Sequence, residues 1–385
     1  MLLDRKLFIF VTAALAGLGL LMVYSASITA RPSFADQKYL VRQLMFLGAG
    51  IIAAVAGSQL SVQFWRRAAL PIMGLTAVAL GAVLIPGIGS RINGAQRWFR
   101  YQTVSVQPSE FAKIAMVLFL AWAIERKGDG IRRFWTGWVP VMAIPAVISA
   151  FVLVEPDFGT AIFLLLIAGM MLFLAEVPLL QLAMIVVAFV PVLGALVLAQ
   201  PYRVKRILEF VNGWWDPDAA PYQVRQSLVA LGSGSVWGSG LGQGWQKLGF
   251  LPEANTDFVF AVVGEELGLA GTLTVLTLWT VFLICGVRLA WRVRGDQFAY
   301  LTSLGLVCQS VFQAALNIGV VTGTLPPKGI SLPFLSAGGS NLIVSLISVG
   351  LVLGLTRQPR DQSDFESLAP RVQGEREPGL LRSAG

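Results

Sequence analysis

Phe158-Gly-Thr-Ala-Ile-Phe-Leu-Leu-Leu-Ile-Ala-Gly-Met-Met-Leu-Phe-Leu-Ala175 is an apolar run without a single charge, bounded by Glu155-Pro156-Asp157 before it and Glu176-Val177-Pro178 after it. A run of that length predicts a membrane-spanning helix, and the proline and carboxylates on either flank predict its ends. The same two flanks divide residues 137–199 into three segments, 137–154, 158–175 and 180–199. Outward from there, comparable windows fall at 8–28, 43–60, 68–86, 109–124, 258–287, 298–322 and 339–356. The fold class expected is therefore an all-α polytopic integral membrane protein with about ten transmembrane helices. A long extracytoplasmic loop, 200–257, separates the seventh from the eighth. Composition agrees: 56% of the 385 residues are hydrophobic, 13% are charged and mean hydropathy is +0.71, which excludes an ordinary soluble domain. The first window follows Arg5 and Lys6 and precedes Ala26, Ser27 and Ala30, as in a signal peptide, yet it is long enough to span and leads straight into further spans, so it reads as an uncleaved helix.

The chain has no histidine and two cysteines, Cys285 and Cys308 in apolar runs. Imidazole bases, thiolate zinc clusters and a disulfide framework are excluded, leaving carboxylates, Lys, Arg, hydroxyls or an oxygen-bound metal to carry any chemistry. The net charge of +8 suits membrane lipid headgroups and not nucleic acid. An even helix count puts both termini on one side. With that side cytoplasmic, 16 of the 29 Lys and Arg lie inside. Twelve of the other 13 cluster at 31–42, 91–113 and 203–247, against the usual bias, and suggest an anionic ligand on the outer face; headgroup contact is the plainer reading. Residues 87–108 read as an outer loop, and 357–385, rich in Arg, Asp, Glu, Ser, Pro and Gly, as a disordered cytoplasmic tail following a domain over 1–356.

Four motifs hold the polar chemistry. Gly232 to Gly244 contains six glycines, which suits either a phosphate cradle or a flexible, re-entrant segment, and Trp214, Trp215, Trp237 and Trp245 around it read as interfacial anchors. In Leu251-Pro-Glu253-Ala-Asn-Thr256-Asp257 a polar loop turns into an apolar helix, so Asp257 is either an N-cap or a partly desolvated carboxylate serving as a base. Glu265 and Glu266 lie two turns further on and should face a polar interior. In Gln107-Pro108-Ser109-Glu110-Phe-Ala-Lys113, Pro108 suits a helix start, Ser109 can cap, and Glu110 and Lys113 share a face as an ion pair or as substrate contacts. Thr324 to Asn341 is a Pro- and Gly-rich hairpin with one cation, Lys328.

Together these segments, with Val23-Tyr24-Ser25-Ala26-Ser27, Arg97-Trp98, Tyr202-Arg203, Trp215-Asp216-Pro217 and Tyr222-Gln223, resemble the SEDS family (the RodA/FtsW/SpoVE group), over about residues 4–356. Asn317 to Gly323 and Leu325 to Asn341 are more like its FtsW branch than its RodA branch. The resemblance implies a peptidoglycan glycosyltransferase of the bacterial cytoplasmic (inner) membrane that polymerises lipid II on the extracytoplasmic side, in cell division. It implies Asp257 as the catalytic carboxylate and Glu110 with Lys113 as a buried polar pair. Arg42, Arg203, Arg206, Glu253, Thr256 and Lys328 become cavity or substrate positions. Two departures stand out: Asn255 replaces the family's usual His, and Ala337 its usual Tyr.

On this reading Asp257 deprotonates an acceptor sugar hydroxyl. That hydroxyl attacks an anomeric carbon with inversion, and outer cations stabilise an undecaprenyl pyrophosphate leaving group. Mg2+ or Mn2+ on the phosphate oxygens is compatible with the donor types, while haem, zinc and nucleotide are not expected. The implied partners are the undecaprenyl-pyrophosphate-linked glycan, a class B penicillin-binding protein transpeptidase and other divisome or elongasome membrane proteins. A lipid-linked saccharide flippase would use the same polar residues without bond making, and a divisome scaffold would need neither.

Overall fold

The structure, a computed structural model, describes residues 2–27, 34–92, 95–101 and 104–357. The tail expected beyond Arg357 lies outside them. Twelve α-helices and one small sheet make up the chain among the described residues: α1 Leu2–Ser27, α2 Phe34–Gln59, α3 Val62–Val83, β1 Ser90–Ile92, β2 Ala95–Tyr101, β3 Val104–Val106, α4 Pro108–Lys127, α5 Val139–Val154, α6 Phe158–Leu174, α7 Leu179–Leu198, α8 Pro201–Asn212, α9 Tyr222–Ser233, α10 Val259–Arg292, α11 Gln297–Val321 and α12 Gly339–Leu355. Ten of the helices follow the ten apolar windows. Seven of those, with α5 counted from Phe134, are long and apolar enough to cross a bilayer; α6 and α12 are shorter apolar helices.

α4 owes its place to its sequence. It is apolar on every face between Ile114 and Ile124 and is buried along almost its whole length, packed against α3, α5, α6, α11 and α12. α7 is the opposite case: none of its described side chains is buried, and it packs on α6 and α8.

Two expected loops carry structure of their own. Residues 87–108 contain the antiparallel meander β1-β2-β3, with Phe99 opposite Val106 and Arg100 opposite Ser105. Residues 200–257 contain α8 and α9. Pro201 occupies the first turn of α8, where its missing N–H costs nothing, and Val204, Ile207, Leu208 and Val211 recur at helical spacing, too few to span.

Ion pairs gather one end of the bundle. Arg66 at the start of α3 reaches Glu125 at the end of α4 (3.0 Å) and Asp296 before α11 (2.7 Å). Asp4 on α1 pairs with Arg292 of α10, and Arg357 beyond α12 donates to Gln59 of α2 at 3.1 Å. The start of α1 and the end of α12 therefore lie at the same end. The polar segments 251–258 and 324–338 lie at the other.

Candidate active site

The turn before α10 is organised by Glu253, whose backbone sits at φ 56°. Its carbonyl oxygen accepts from the N–H groups of Thr256 (3.1 Å), Asp257 (3.1 Å) and Phe258 (3.2 Å), and its carboxylate accepts from the Thr256 hydroxyl at 2.9 Å. Phe258, not Thr256 or Asp257, is the residue that caps α10, and no side chain caps it. The capping alternative for Asp257 is thereby corrected, because the turn carbonyl orders the backbone before the helix begins. Among the described residues the Asp257 carboxylate has neither a hydrogen bond nor an ion pair. Its backbone is nonetheless fixed, since the Asn317 amide donates to the carbonyls of Asp257 and Ile330, both at 2.7 Å. The carboxylate lies so close to Gly329 that a Cβ there would stand 3.1 Å from Oδ2. Burial, then the neighbouring charges of Glu253 and Asp157, push the Asp257 carboxyl up to about 7, against the opposing pull of Arg206.

A second carboxylate, Asp157, belongs to the same place and was read in the sequence only as a divider between two spans. It caps α6: Oδ1 accepts from the Thr160 N–H (3.1 Å) and Oδ2 from the Thr160 hydroxyl (2.9 Å). Arg97 from β2 approaches Oδ2 at 3.4 Å and donates to the carbonyls of Glu155 and Pro156. The signal available was two acids and a proline between two long apolar runs. Glu155 itself is fully buried with both oxygens unpartnered among the described residues, and that burial, reinforced by Asp157, pushes it up to about 8.

Lys328-Gly329 runs between the two aspartates. A Cβ on Gly159 would stand 3.8 Å from Asp157 Oδ1 and 3.9 Å from Lys328 Cβ, while the Lys328 stem borders a cavity of about 60 Å³ walled by Phe163, Leu316 and Ile330. Burial holds the Lys328 ammonium below the usual lysine range. Arg203 stacks over Phe158 at 4.7 Å, beside the Asp157 corner, and Arg206 donates to Gln223 at 3.2 Å while still acting on Asp257. Arg42 is directed elsewhere, donating to the Ser105 hydroxyl of β3 at 2.6 Å. Glu110 and Lys113 lie deeper, 2.6 Å apart and buried. Lys113 also donates to Gln313 (2.8 Å), whose amide donates to the Ser331 carbonyl (2.8 Å). Gln313 and Asn317, one turn apart on α11, thus tie the Glu110–Lys113 pair and the Asp257 turn to the same 328–331 segment. Ser109 does not cap α4; Gln107 precedes the helix and donates to the Ser109 hydroxyl.

The glycine-rich run is neither a phosphate cradle nor slack. N–H groups in it and just after it are taken by the chain's own acids: Gly242 donates to the Glu266 carboxylate (3.0 Å), and Trp245 and Gln246, which follow the run, donate to the Glu265 carboxylate (2.6 and 3.1 Å). Ser239 and Gly240 donate to the carbonyls of Glu265 and Glu266, closing on the kink of α10 at Gly268 (φ 66°), where a Cβ would strike the backbone of Val236 and Gly238. Glu266 also receives Lys247 (2.6 Å), which reaches Ser25 on α1 (3.0 Å). Trp214, Trp215, Trp237 and Trp245 stay exposed.

The chain that carries this arrangement is similar over most of its length to known proteins. Residues 5–361 match the model of the FtsW/RodA/SpoVE family, described as cell cycle protein. The chain belongs to that family. It is 39% identical over 350 residues to a probable peptidoglycan glycosyltransferase FtsW of Trichlorobacter lovleyi, covering 90% of this chain and 92% of the relative. It is likewise 39% identical over 358 residues to the stage V sporulation protein E of Bacillus subtilis, covering 92% and 97%. Among solved structures, a chain from work on the coordination of polymerization and crosslinking by a peptidoglycan synthase complex superposes with TM-score 0.75 at 29% identity, covering 91% of this chain and 96% of that one. The rod shape determining protein RodA of Thermus thermophilus does so with TM-score 0.67 at 27% identity, covering 92% and 97%. As a family member the protein is a polytopic, membrane-embedded one. Asn255 and Ala337, the two positions singled out in the sequence, meet in space: the Ala337 N–H donates to the Asn255 carbonyl at 2.8 Å, and Asn255 Oδ1 is buried with no partner among the described residues.

Proposed function

We propose that the protein is a peptidoglycan glycosyltransferase that polymerises lipid II in cell division, with Asp257 as general base. The observation that carries this reading is the unpaired Asp257 carboxylate, pushed up to about 7 on a rigid turn. A base works best when its pKa is near the operating pH and its lone pair is not already committed. Asp257 takes the proton of the acceptor hydroxyl, and that oxygen attacks the anomeric carbon from the face opposite the pyrophosphate, so one base suffices and configuration inverts. Arg203, Arg206 and Lys328 supply positive charge for the departing pyrophosphate. Arg97 is held by Asp157 and orients the corner of α6.

A bound Mg2+ or Mn2+ would add Lewis-acid stabilisation of the phosphate oxygens. Among the described residues no three acidic or cysteine side chains converge on one point. Asp157 is also already saturated with donors, so Asp257 and Glu253 are the carboxylates left to such an ion, and the substrate must provide the rest of its ligands.

Ten crossings follow from reading α1–α7 and α10–α12 as spans. The end bearing Arg66, Arg126, Arg292 and Arg357 is then cytoplasmic, with both termini, and Asp257 opens to the extracytoplasmic side. A class B penicillin-binding transpeptidase is the expected partner. Asp257 stands in a loop at the end of a helix, where a flippase carboxylate working at mid-membrane is not expected, which favours bond making over transport.

The test is glycan polymerisation from lipid II by purified protein with its transpeptidase, with and without Mg2+ or Mn2+. Strands from the wild type and none from Asp257→Asn support the reading. Equal rates from the two proteins remove Asp257 from the chemistry, and no strands from either, with the partner bound, put transport first.

A further inference from the structure

At the end of α4 away from Asp257, a groove of about 490 Å³ opens between α3, α4 and α5. Its walls are Leu70, Phe119, Ala123, Val141 and Ile144, and its mouth carries Arg126 and Lys127. Phe119, Ala123 and Val141 are buried, while both cations are exposed. An apolar slot in the membrane region that is closed at its headgroup end by two positive charges has the polarity of a phospholipid.

The charges at this mouth line an apolar groove and are not engaged by carboxylates among the described residues, unlike several other cations at the same end. Arg66 is committed to Glu125 and Asp296, Arg132 to Glu176, and Arg288 and Arg292 to Asp4. Arg126 and Lys127 have no carboxylate partner among the described residues, because Glu125 is taken by Arg66 and Asp129 pairs with neither. Both are nevertheless held in place. The Arg126 guanidinium lies over Trp122 at 5.4 Å, and Lys127 donates to the Thr136 carbonyl at 2.7 Å, across the single π turn Phe134–Trp138 that leads into α5. Two more Lys127 N–H bonds and the outer edge of the guanidinium have no partner among the described residues. Trp135, on the same turn, is strongly exposed, as an interfacial anchor at headgroup depth would be.

We infer that this groove is a binding site for an anionic phospholipid of the adjacent leaflet, its phosphate on Arg126 and Lys127 and one acyl chain between α3, α4 and α5. Basic pockets between membrane helices recognise such headgroups, and the chain wedges together three helices that otherwise leave a gap. Since α4 is the buried centre of the bundle, the lipid braces the helix whose far end holds Glu110 and Lys113, about 20–24 Å from Arg126 along its axis.

The experiment is native mass spectrometry of the detergent-purified full chain titrated with phosphatidylglycerol and, separately, with phosphatidylethanolamine. Thermal unfolding is followed in parallel. Wild type is expected to retain phosphatidylglycerol preferentially, and the double variant R126Q/K127Q to lose roughly thirtyfold in that preference, the effect of two juxtamembrane cations. Arg294→Gln removes a cation stacked on Trp291 at the same end but outside the groove, and should behave as wild type. Ile144→Trp fills the slot with both cations intact and should lose retention of either lipid, which keeps the idea testable if the double variant does not fold. Unchanged retention in both groove variants overturns the proposal. So does equal stabilisation by glycerol phosphate, which has the headgroup charge without chains, or a dimer peak that disappears with Ile144→Trp, which would give the groove to a second copy.

Discussion

Asp257 and Glu266 stand nine residues apart on one stretch of chain and have opposite surroundings. Glu266 accepts from Lys247, Ser25 and Gly242 and has no solvent exposure; Asp257 accepts from no described residue and faces a glycine. A buried carboxylate is tolerable when every lone pair is engaged, and one left open in a fixed frame is reactive instead. The chain therefore devotes one acid to holding the glycine-rich loop on the α10 kink and keeps the other uncommitted.

The largest break in that comparison is expected from Asp257→Asn, which should cut glycan polymerisation by about 10²- to 10⁴-fold, the range for a lost general base, with thermal unfolding unchanged. Comparable polymerisation rates would end the distinction. Lys247→Met should do the reverse: it strands the Glu266 charge in the interior, costing about 3–5 kcal/mol, seen as a lower unfolding temperature and as protease sensitivity within 232–250. A variant as stable as wild type would mean that Glu266 has no need of its cation.

Two pH experiments sharpen the contrast further. Polymerisation should rise as pH passes through about 7, because the base works only once deprotonated. Glu253→Gln removes a repulsive neighbour and should move that limb to lower pH, whereas Arg206→Gln should move it higher; identical limbs in the three proteins would dissociate these charges from Asp257. The remaining effect is on stability and concerns Glu155, whose folded-state carboxyl is raised to about 8 from an ordinary value near 4. Raising the pH ionises it more readily in the unfolded chain, so wild-type stability declines as pH climbs from the unfolded value through about 8. Glu155→Gln should show a flatter profile over that window while matching wild type at the pH where Glu155 is fully protonated. Parallel melting curves across that window would contradict this.

The spans were the most legible part of the molecule. Runs such as 158–175 have one stable option in lipid, since only a helix satisfies its own backbone there. The meander at 90–106 has no apolar run to mark it, and its one local signal is Asn93-Gly94, a hairpin dipeptide. α8 went unread because its apolar residues are too few to register as a span. In the site, Asp257 stood out as an acid at the edge of an apolar helix. Asp157 looked the same on paper as any acid that ends a helix, and only its position opposite Lys328 and Arg97 distinguishes it.

Apolar length and the placement of charge, which are local properties of the chain, were enough for the sequence by itself to determine a multi-spanning helical protein and to mark Asp257, Glu110, Lys113 and Lys328 as unusual. Which of its acids are neutralised was decided by the tertiary structure alone. Glu266 meets Ser25 from 241 residues away, Asp157 meets Arg97 from another element, and Asp257 meets no partner among the described residues. An acid's chemistry depends on the charges and donors within a few ångströms of it, and those come from segments that composition and spacing cannot bring together.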